Sequence, residues 1–229
     1  MKAILVGMFL ALPTFISRPF YNLARRWIFK DERDVTWGKV FDHVAASRVK
    51  GDYLEFGVFR GTSFVSAFKH ARERRVTDMR FFAYDSFAGL PNDEGSVFKA
   101  GDYAISEGLF RRMIEKAGVD LRSCEIVPGF YEASLTAEHK RSTKLTSAAV
   151  IHIDCDLYTS TREVLRFVEN LIGPGSVIVF DDWYTFGGNP EDHGEAKAFV
   201  EWVLHDRFRP FFDGKEVGRA TAKAYVMTH

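Results

Sequence analysis

Cysteine is scarce: the 229 residues contain only Cys124 and Cys155. Two thiols make no disulfide framework, and both fall where strands are expected, as small buried thiols often do, so the reading is a reducing compartment. No Cys/His pattern stands at zinc spacing. Net charge is missing too. Lys+Arg and Asp+Glu are both 31, so overall charge draws the chain toward no nucleic acid. No apolar run reaches the ~20 residues a spanning helix needs. Residues 3–16 are apolar apart from Thr14, but Gly7 and Pro13 interrupt them, and no small-x-small cleavage site follows before Arg18. Internal repeats, low-complexity tracts and interdomain linkers are absent as well. At 46% hydrophobic content, a chain of this length is expected to build one α/β domain rather than two.

What is present is carboxylate at the ends of two apolar runs. Residues 149–153 lead into Asp154 and Asp156, and residues 177–180 lead into Asp181 and Asp182. Runs with so little alternation suit strands buried on both faces of a parallel sheet. Between them, residues 158–172 carry Val164, Leu165, Val168, Leu171 and Ile172 at helical spacing, and Gly173-Pro174-Gly175 stops the helix. A right-handed crossover sets the two strands parallel with their carboxyl ends at one edge, so the four acids are expected to meet. Clustered anions repel by several kcal/mol at low effective dielectric unless a cation or partial protonation relieves them. Oxygen-only ligands favour a hard ion, magnesium first, with manganese or calcium as alternatives. The plainer reading is that the acids cap the helices that follow.

Upstream, residues 19–30 form an amphipathic pattern, with Phe20, Leu23, Trp27 and Ile28 on one face and Arg25, Arg26 and Lys30 off it. Such a helix packs on the domain or a second subunit, or lies at a membrane surface. A further helix is expected over residues 34–48. Residues 53–58 read as a strand entering a glycine-bearing turn. Gly57 and Gly61 would let backbone approach a ligand, and Thr62 and Ser63 offer hydroxyls and N–H groups at the start of a helix running to about Arg72. The pattern is not G-x-G-x-x-G and could be only a tight turn. Residues 80–85 form the next strand and end on Asp85, where α/β nucleotide folds bind ribose hydroxyls; the alternative is an Asp in a turn. Residues 92–102 are a candidate mobile loop, residues 105–117 a helix and residues 124–127 a strand. Phe130 or Tyr131, just after it, could stack on an adenine or belong to the core. Helix 194–205 and two strands at residues 209–212 and 222–227, an antiparallel pair at the sheet edge, complete the pattern. Residues 1–50 therefore read as a hydrophobic and amphipathic helical extension, and residues 51–229 as the main domain.

In order over residues 51–202, the segments YLEFGVFRGTS, YDSFAGLP, VPGFYEASL, IHIDCDLYTSTREVL and IVFDDWYTFGG with GEAKAFVEW resemble the macrocin O-methyltransferase family. The resemblance implies a class I, magnesium-dependent enzyme that moves a methyl group from S-adenosylmethionine (SAM) to a sugar hydroxyl. It implies a doubly wound, Rossmann-like α/β fold with a seven-stranded, mostly parallel sheet and an antiparallel edge strand. Carried over, Glu55, Gly57, Thr62 and Ser63 would hold the methionine part of SAM, Asp85 and Ser86 its ribose, and Gly129 with Phe130 would border the adenine. Asp154, Asp181 and Asp182 match the metal ligands and Asp156 the general base, with Asp102 and His152 the next candidates for base. The apolar N-terminus departs from a soluble antibiotic-tailoring enzyme. It widens the acceptor to small-molecule or lipid-linked glycosides, and leaves a cytoplasmic chain open to peripheral membrane contact and self-association. Two rivals stand beside this reading. Asp154-Cys155-Asp156 fits the D-x-D of metal-dependent glycosyltransferases, and a SAM-binding accessory protein without turnover would keep the same pocket.

Overall fold

The computed structural model describes residues 32–93, 98–214 and 221–228. The apolar stretch at residues 3–16 and the amphipathic helix expected at residues 19–30 lie outside them. Helix α1 (Glu32–Ser47) leads into β1 (Asp52–Phe56), α2 (Thr62–Glu73) and β2 (Phe81–Asp85). Helix α3 (Glu107–Lys116), β3 (Cys124–Pro128) and the short helices α4 (Tyr131–Ser134) and α5 (Ala137–Thr143) follow. The central unit is β4 (Ala148–Ile153), α6 (Tyr158–Val168) and β5 (Val177–Phe180), and α7 (Gly194–Val200), β6 (Phe208–Asp213) and β7 (Lys223–Met227) close the chain.

All seven strands form one sheet in the order β3-β2-β1-β4-β5-β7-β6. The first five are mutually parallel, while β7 runs antiparallel to β5 and β6 antiparallel to β7. The unalternating runs behave as their composition dictates, since every residue of β4 and β5 is buried. Under one face, Trp37, Val40 and Phe41 of α1 and Phe64 of α2 pack on Tyr53, Phe81, Val150 and Val177. Over the other, Val164, Leu165 and Val168 of α6 and Phe199 of α7 cover Leu54, Phe82, Ile151 and Ile178. Helix α1 thus completes the core from the N-terminal side of Gly51. Pro210, which has no N–H to give a ladder, sits in the edge strand β6 beside a register irregularity.

Element ends depart from the periodicity where backbone groups find other partners. Strand β1 stops at Phe56 because Gly57 turns to φ +85°. Helix α6 stops at Val168. Leu171 remains buried, but its carbonyl accepts from Ala148 N–H (2.7 Å) and so belongs to the start of β4. Helix α7 ends at Val200, before a turn closed by Trp202 N–H on Phe199 O (3.0 Å). Cys155 lies in the loop beyond β4 rather than in the strand. No helix among the described residues is long and apolar enough to cross a membrane.

Candidate active site

The five parallel strands end at one edge, and a cavity of about 360 Å³ opens there, at the β1/β4 boundary where strand order reverses. Gly57 lines it. A Cβ at this position would stand 1.8 Å from Asp154 O, so only glycine lets the ends of β1 and β4 come this close. Gly61 serves packing instead: its φ is +72°, and a Cβ would meet Ile114 and Phe110 of α3 at 2.6 and 2.9 Å. Thr62 is exposed, Ser63 is buried, and neither borders the cavity.

Asp85 ends β2 at the cavity and ties three turns together. Its Oδ2 accepts from Val58 N–H (2.9 Å) and Phe59 N–H (3.1 Å), and its Oδ1 from Phe87 N–H (2.7 Å). Ser86 also lines the cavity; its hydroxyl donates to Gly89 O (2.7 Å) and accepts from Ala88 N–H (3.0 Å). Gly129 N–H donates to Asp85 O (2.9 Å), and Phe130 follows at the cavity wall, 41% exposed. Tyr131 also reaches the cavity, but its ring packs edge-on against Phe56 at 5.9 Å. Gly129 itself does not border the cavity.

The opposite wall is acidic. Asp154, Asp156, Asp181 and Asp182 all line it, as parallel strand ends require. Asp156 takes φ +62° at the middle of a three-residue turn closed by Leu157 N–H on Cys155 O (2.6 Å), a backbone state that costs a non-glycine residue energy and clusters at functional sites. Burial pushes its carboxyl up to about 10, with the Asp182 charge, a hydrogen bond to Asp182 and then Asp154 and Asp102 adding to it. Thr185 Oγ1 donates to Asp182 Oδ1 (2.5 Å). Three more groups stand behind or beside this wall, of which Glu195 and Tyr103 were not anticipated from the sequence. Glu195 of α7 is fully buried, and its Oε2 accepts from Asp182 N–H (3.0 Å); burial first and the Asp182 charge second push its carboxyl up. His152, a base candidate of second rank in the sequence, is fully buried with Nε2 3.5 Å from Asp181 Oδ1. Tyr103, at the rim with Asp102, packs on Phe59 at 5.6 Å. That rim is delivered by a short ladder, Leu90 N–H to Asp102 O (3.0 Å) and Gly101 N–H to Leu90 O (2.9 Å). Residues 94–97 of the loop lie outside the described residues, while Asp93 Oδ1 accepts from Ala100 N–H (2.8 Å).

The donor set fits a divalent cation. Asp154 and Asp181 bring carboxylate oxygens within 4.8 Å of one another, with a ring nitrogen of His152 equally near, and Asp156, pushed up by burial first, also feels the charges of Asp182, Asp154 and Asp102 that a cation would relieve. Glu55, in contrast, does not border the cavity; it is 1% exposed beneath the sheet and accepts from the Tyr53 hydroxyl.

A parallel sheet reversing between β1 and β4, with a cavity at the reversal and an antiparallel β7 inserted between β5 and β6, has the class I methyltransferase fold. The chain superposes on the O-methyltransferase NovP with a TM-score of 0.69 at 22% identity, covering 86% of this chain and 80% of that one. On CalS11, a calicheamicin methyltransferase, it does so at 0.72 and 20%, covering 98% and 90%. The macrocin-O-methyltransferase (TylF) family model matches residues 31–195, and the chain belongs to that family. It is 28% identical over 153 residues to demethyldecarbamoylnovobiocin O-methyltransferase of Streptomyces niveus, covering 62% of this chain and 56% of that protein. It is 29% identical over 150 residues to 8-demethyl-8-(2,3-dimethoxy-alpha-L-rhamnosyl)-tetracenomycin-C 4'-O-methyltransferase of Streptomyces olivaceus, covering 61% and 56%. The chain thus spans just over half the length of these relatives.

Proposed function

We propose that this protein is a SAM-dependent O-methyltransferase that uses magnesium to methylate a hydroxyl of a free or lipid-linked glycoside. One observation carries the reading: the glycine turn at Gly57 and the Asp85 strand end share a single cavity with four carboxylates. The name of the Streptomyces olivaceus relative, a 4'-O-methyltransferase of a rhamnosyl-bearing tetracenomycin, supports a sugar-bearing acceptor.

In this reading Gly57, Asp85, Ser86 and Phe130 contact SAM, while Gly61, Thr62, Ser63 and Gly129 shape the turns behind them. Asp154, Asp181 and Asp182 hold the cation. When bound, a divalent cation would fix two vicinal hydroxyls and lower the pKa of one. The protein's own part is alignment and proton acceptance. Transfer from a sulfonium is an in-line displacement: the acceptor oxygen forms the new O–CH3 bond as the S–CH3 bond breaks. The hydroxyl proton passes to Asp156, whose carboxyl is kept protonated by burial and neighbouring acids until the cation offsets their charge and frees it to act as the base. Half-buried Tyr131, its ring against Phe56, and the strand ends line the floor of the cavity.

Calorimetry with SAM, with and without magnesium, followed by a screen of free and lipid-linked glycosides, tests the assignment. SAM binding and cation-dependent methylation are expected. Binding of a sugar nucleotide in place of SAM would move the chain to the glycosyltransferase reading of Asp154 and Asp156. SAM binding with no turnover on any glycoside would leave the accessory role.

A further inference from the structure

A row of polar side chains runs through the apolar layer beneath the acids. The register pairs Glu55 with His152 and His152 with Val179, so Tyr53, Glu55, His152 and Asp181 project from the same side of the sheet. The Tyr53 hydroxyl donates to Glu55 Oε2, which lies 3.6 Å from His152 Nδ1, and His152 Nε2 lies 3.5 Å from Asp181 Oδ1. His152 and Glu55 are 0% and 1% exposed, and the Trp37 ring stands edge-on to the imidazole at 5.0 Å. His152 Nδ1 makes no hydrogen bond, and the Glu55 carboxylate is the acceptor a small shift would give it. Buried polar groups cost stability that a valine or leucine in this layer would not, which calls for a function at the end of the row. That end is Asp181, at the cavity.

We propose that His152 is a positioning residue: held from behind by Glu55 and Tyr53, it fixes the Asp181 carboxylate in the orientation that holds the divalent cation. The proposal rests on the cation reading above. It assigns Glu55, whose place in the family motif implies contact with SAM, to the cation side of the site instead. Outer partners of this kind orient a ligand and tune its basicity, and their loss typically lowers metal affinity by about 10- to 100-fold.

The probe is Mn2+ binding to the full chain, followed by the free-Mn2+ electron paramagnetic resonance signal, with SAM affinity measured in parallel by calorimetry. Glutamine places an amide near the position of Nε2, and asparagine near that of Nδ1. His152→Asn is therefore expected to weaken Mn2+ binding by about 10- to 100-fold and His152→Gln to recover most of the loss. Glu55→Gln should weaken Mn2+ binding and leave SAM affinity unchanged. Electron spin-echo modulation of the Mn2+ complex should show no directly coordinated 14N. Tyr53→Phe deletes a single oxygen and carries the test should the other variants fail to fold, with a weakening of about threefold expected. Wild-type-like Mn2+ affinity in His152→Asn or Tyr53→Phe, equal loss in His152→Asn and His152→Gln, a directly bound 14N, or loss of SAM binding alone in Glu55→Gln overturns the positioning role. A wild-type chain that binds no Mn2+ overturns the cation reading itself, and the positioning role with it.

Discussion

Asp85 has two roles that substitution can separate. Its carboxylate takes the N–H groups of Val58, Phe59 and Phe87 while lining the cavity. Asp85→Ala is expected to weaken SAM binding by about 1–3 kcal/mol, the scale of charge-assisted hydrogen bonds. It should also lower the melting temperature, because three N–H groups lose their acceptor. A lower melting temperature with unchanged SAM affinity by calorimetry would reduce Asp85 to a turn residue. Asp156 and Asp181 should fail in different ways. Asn tolerates the left-handed backbone that Asp156 adopts, so Asp156→Asn keeps the fold and removes only the proton acceptor. Its single-turnover rate should fall by ~10²–10⁴-fold with SAM and metal affinities intact, whereas Asp181→Asn should weaken metal binding and be partly rescued by excess magnesium. Rescue of Asp156→Asn by magnesium would make Asp156 a ligand. His139 supplies a pH test away from the cavity. Burial lowers its imidazole below the ordinary value, and its Nε2 lies 3.0 Å from the Tyr84 hydroxyl. A depressed histidine supports the fold above the unfolded-chain value near ~6.5 and withdraws that support as pH falls below it, because the unfolded chain then binds the proton first. Melting curves of His139→Gln should lose less stability than wild type between about pH 6.5 and 5; parallel curves would remove His139 from the acid response.

Among the elements, glycines at similar φ carry different burdens. Gly57 and Gly118 have φ of +85° and +95°, but a Cβ would strike Asp154 O at 1.8 Å in the first and meet nothing within 4 Å in the second. Gly118→Ala therefore bears only the conformational term, about 1 kcal/mol, whereas Gly57→Ala adds overpacking and should cost about 3 kcal/mol or more in urea unfolding. Equal losses would mean that β1 and β4 can part without penalty. The same comparison shows why elements were legible and their ends were not. Val177–Phe180 and Ala148–Ile153 announce themselves by apolar content, and the crossover between them fixes where Asp154, Asp156, Asp181 and Asp182 meet. Helix α6 stops four residues short because the Leu171 carbonyl is taken by Ala148, a long-range partner that helical spacing cannot reveal. Glu195 and Tyr103 carried no local signal for the same reason. Their proximity to Asp182 and Asp156 is made by loops, and only strand ends are brought together by topology alone.

At the scale of the molecule, two apolar layers clamp a sheet whose one polar edge gathers the charge, although the chain as a whole is neutral. The seven-stranded order and the antiparallel closing pair follow the family resemblance and the turn pattern, and the cavity at the reversal follows from them. Concentrating carboxylates at that edge makes the fold's stability depend on what occupies it. A cation that binds the folded chain and not the unfolded one stabilises by RT ln(1 + [L]/Kd), about 2.7 kcal/mol at a hundredfold excess over Kd. For a domain of this size that is a rise in melting temperature of roughly 5–10 °C. Simple screening is the competing cause, since monovalent salt also weakens repulsion among partly exposed acids. The discriminating measurement is a melting series in MgCl2 and in NaCl at matched ionic strength, on wild type and Asp181→Asn. Magnesium should raise the wild-type melting temperature well beyond NaCl and raise that of Asp181→Asn little, while SAM stabilises both proteins alike through the Gly57 and Asp85 side of the cavity. Equal shifts in the two salts would reduce the acidic wall to a screened cluster, and an undiminished magnesium shift in Asp181→Asn would place the cation away from Asp181.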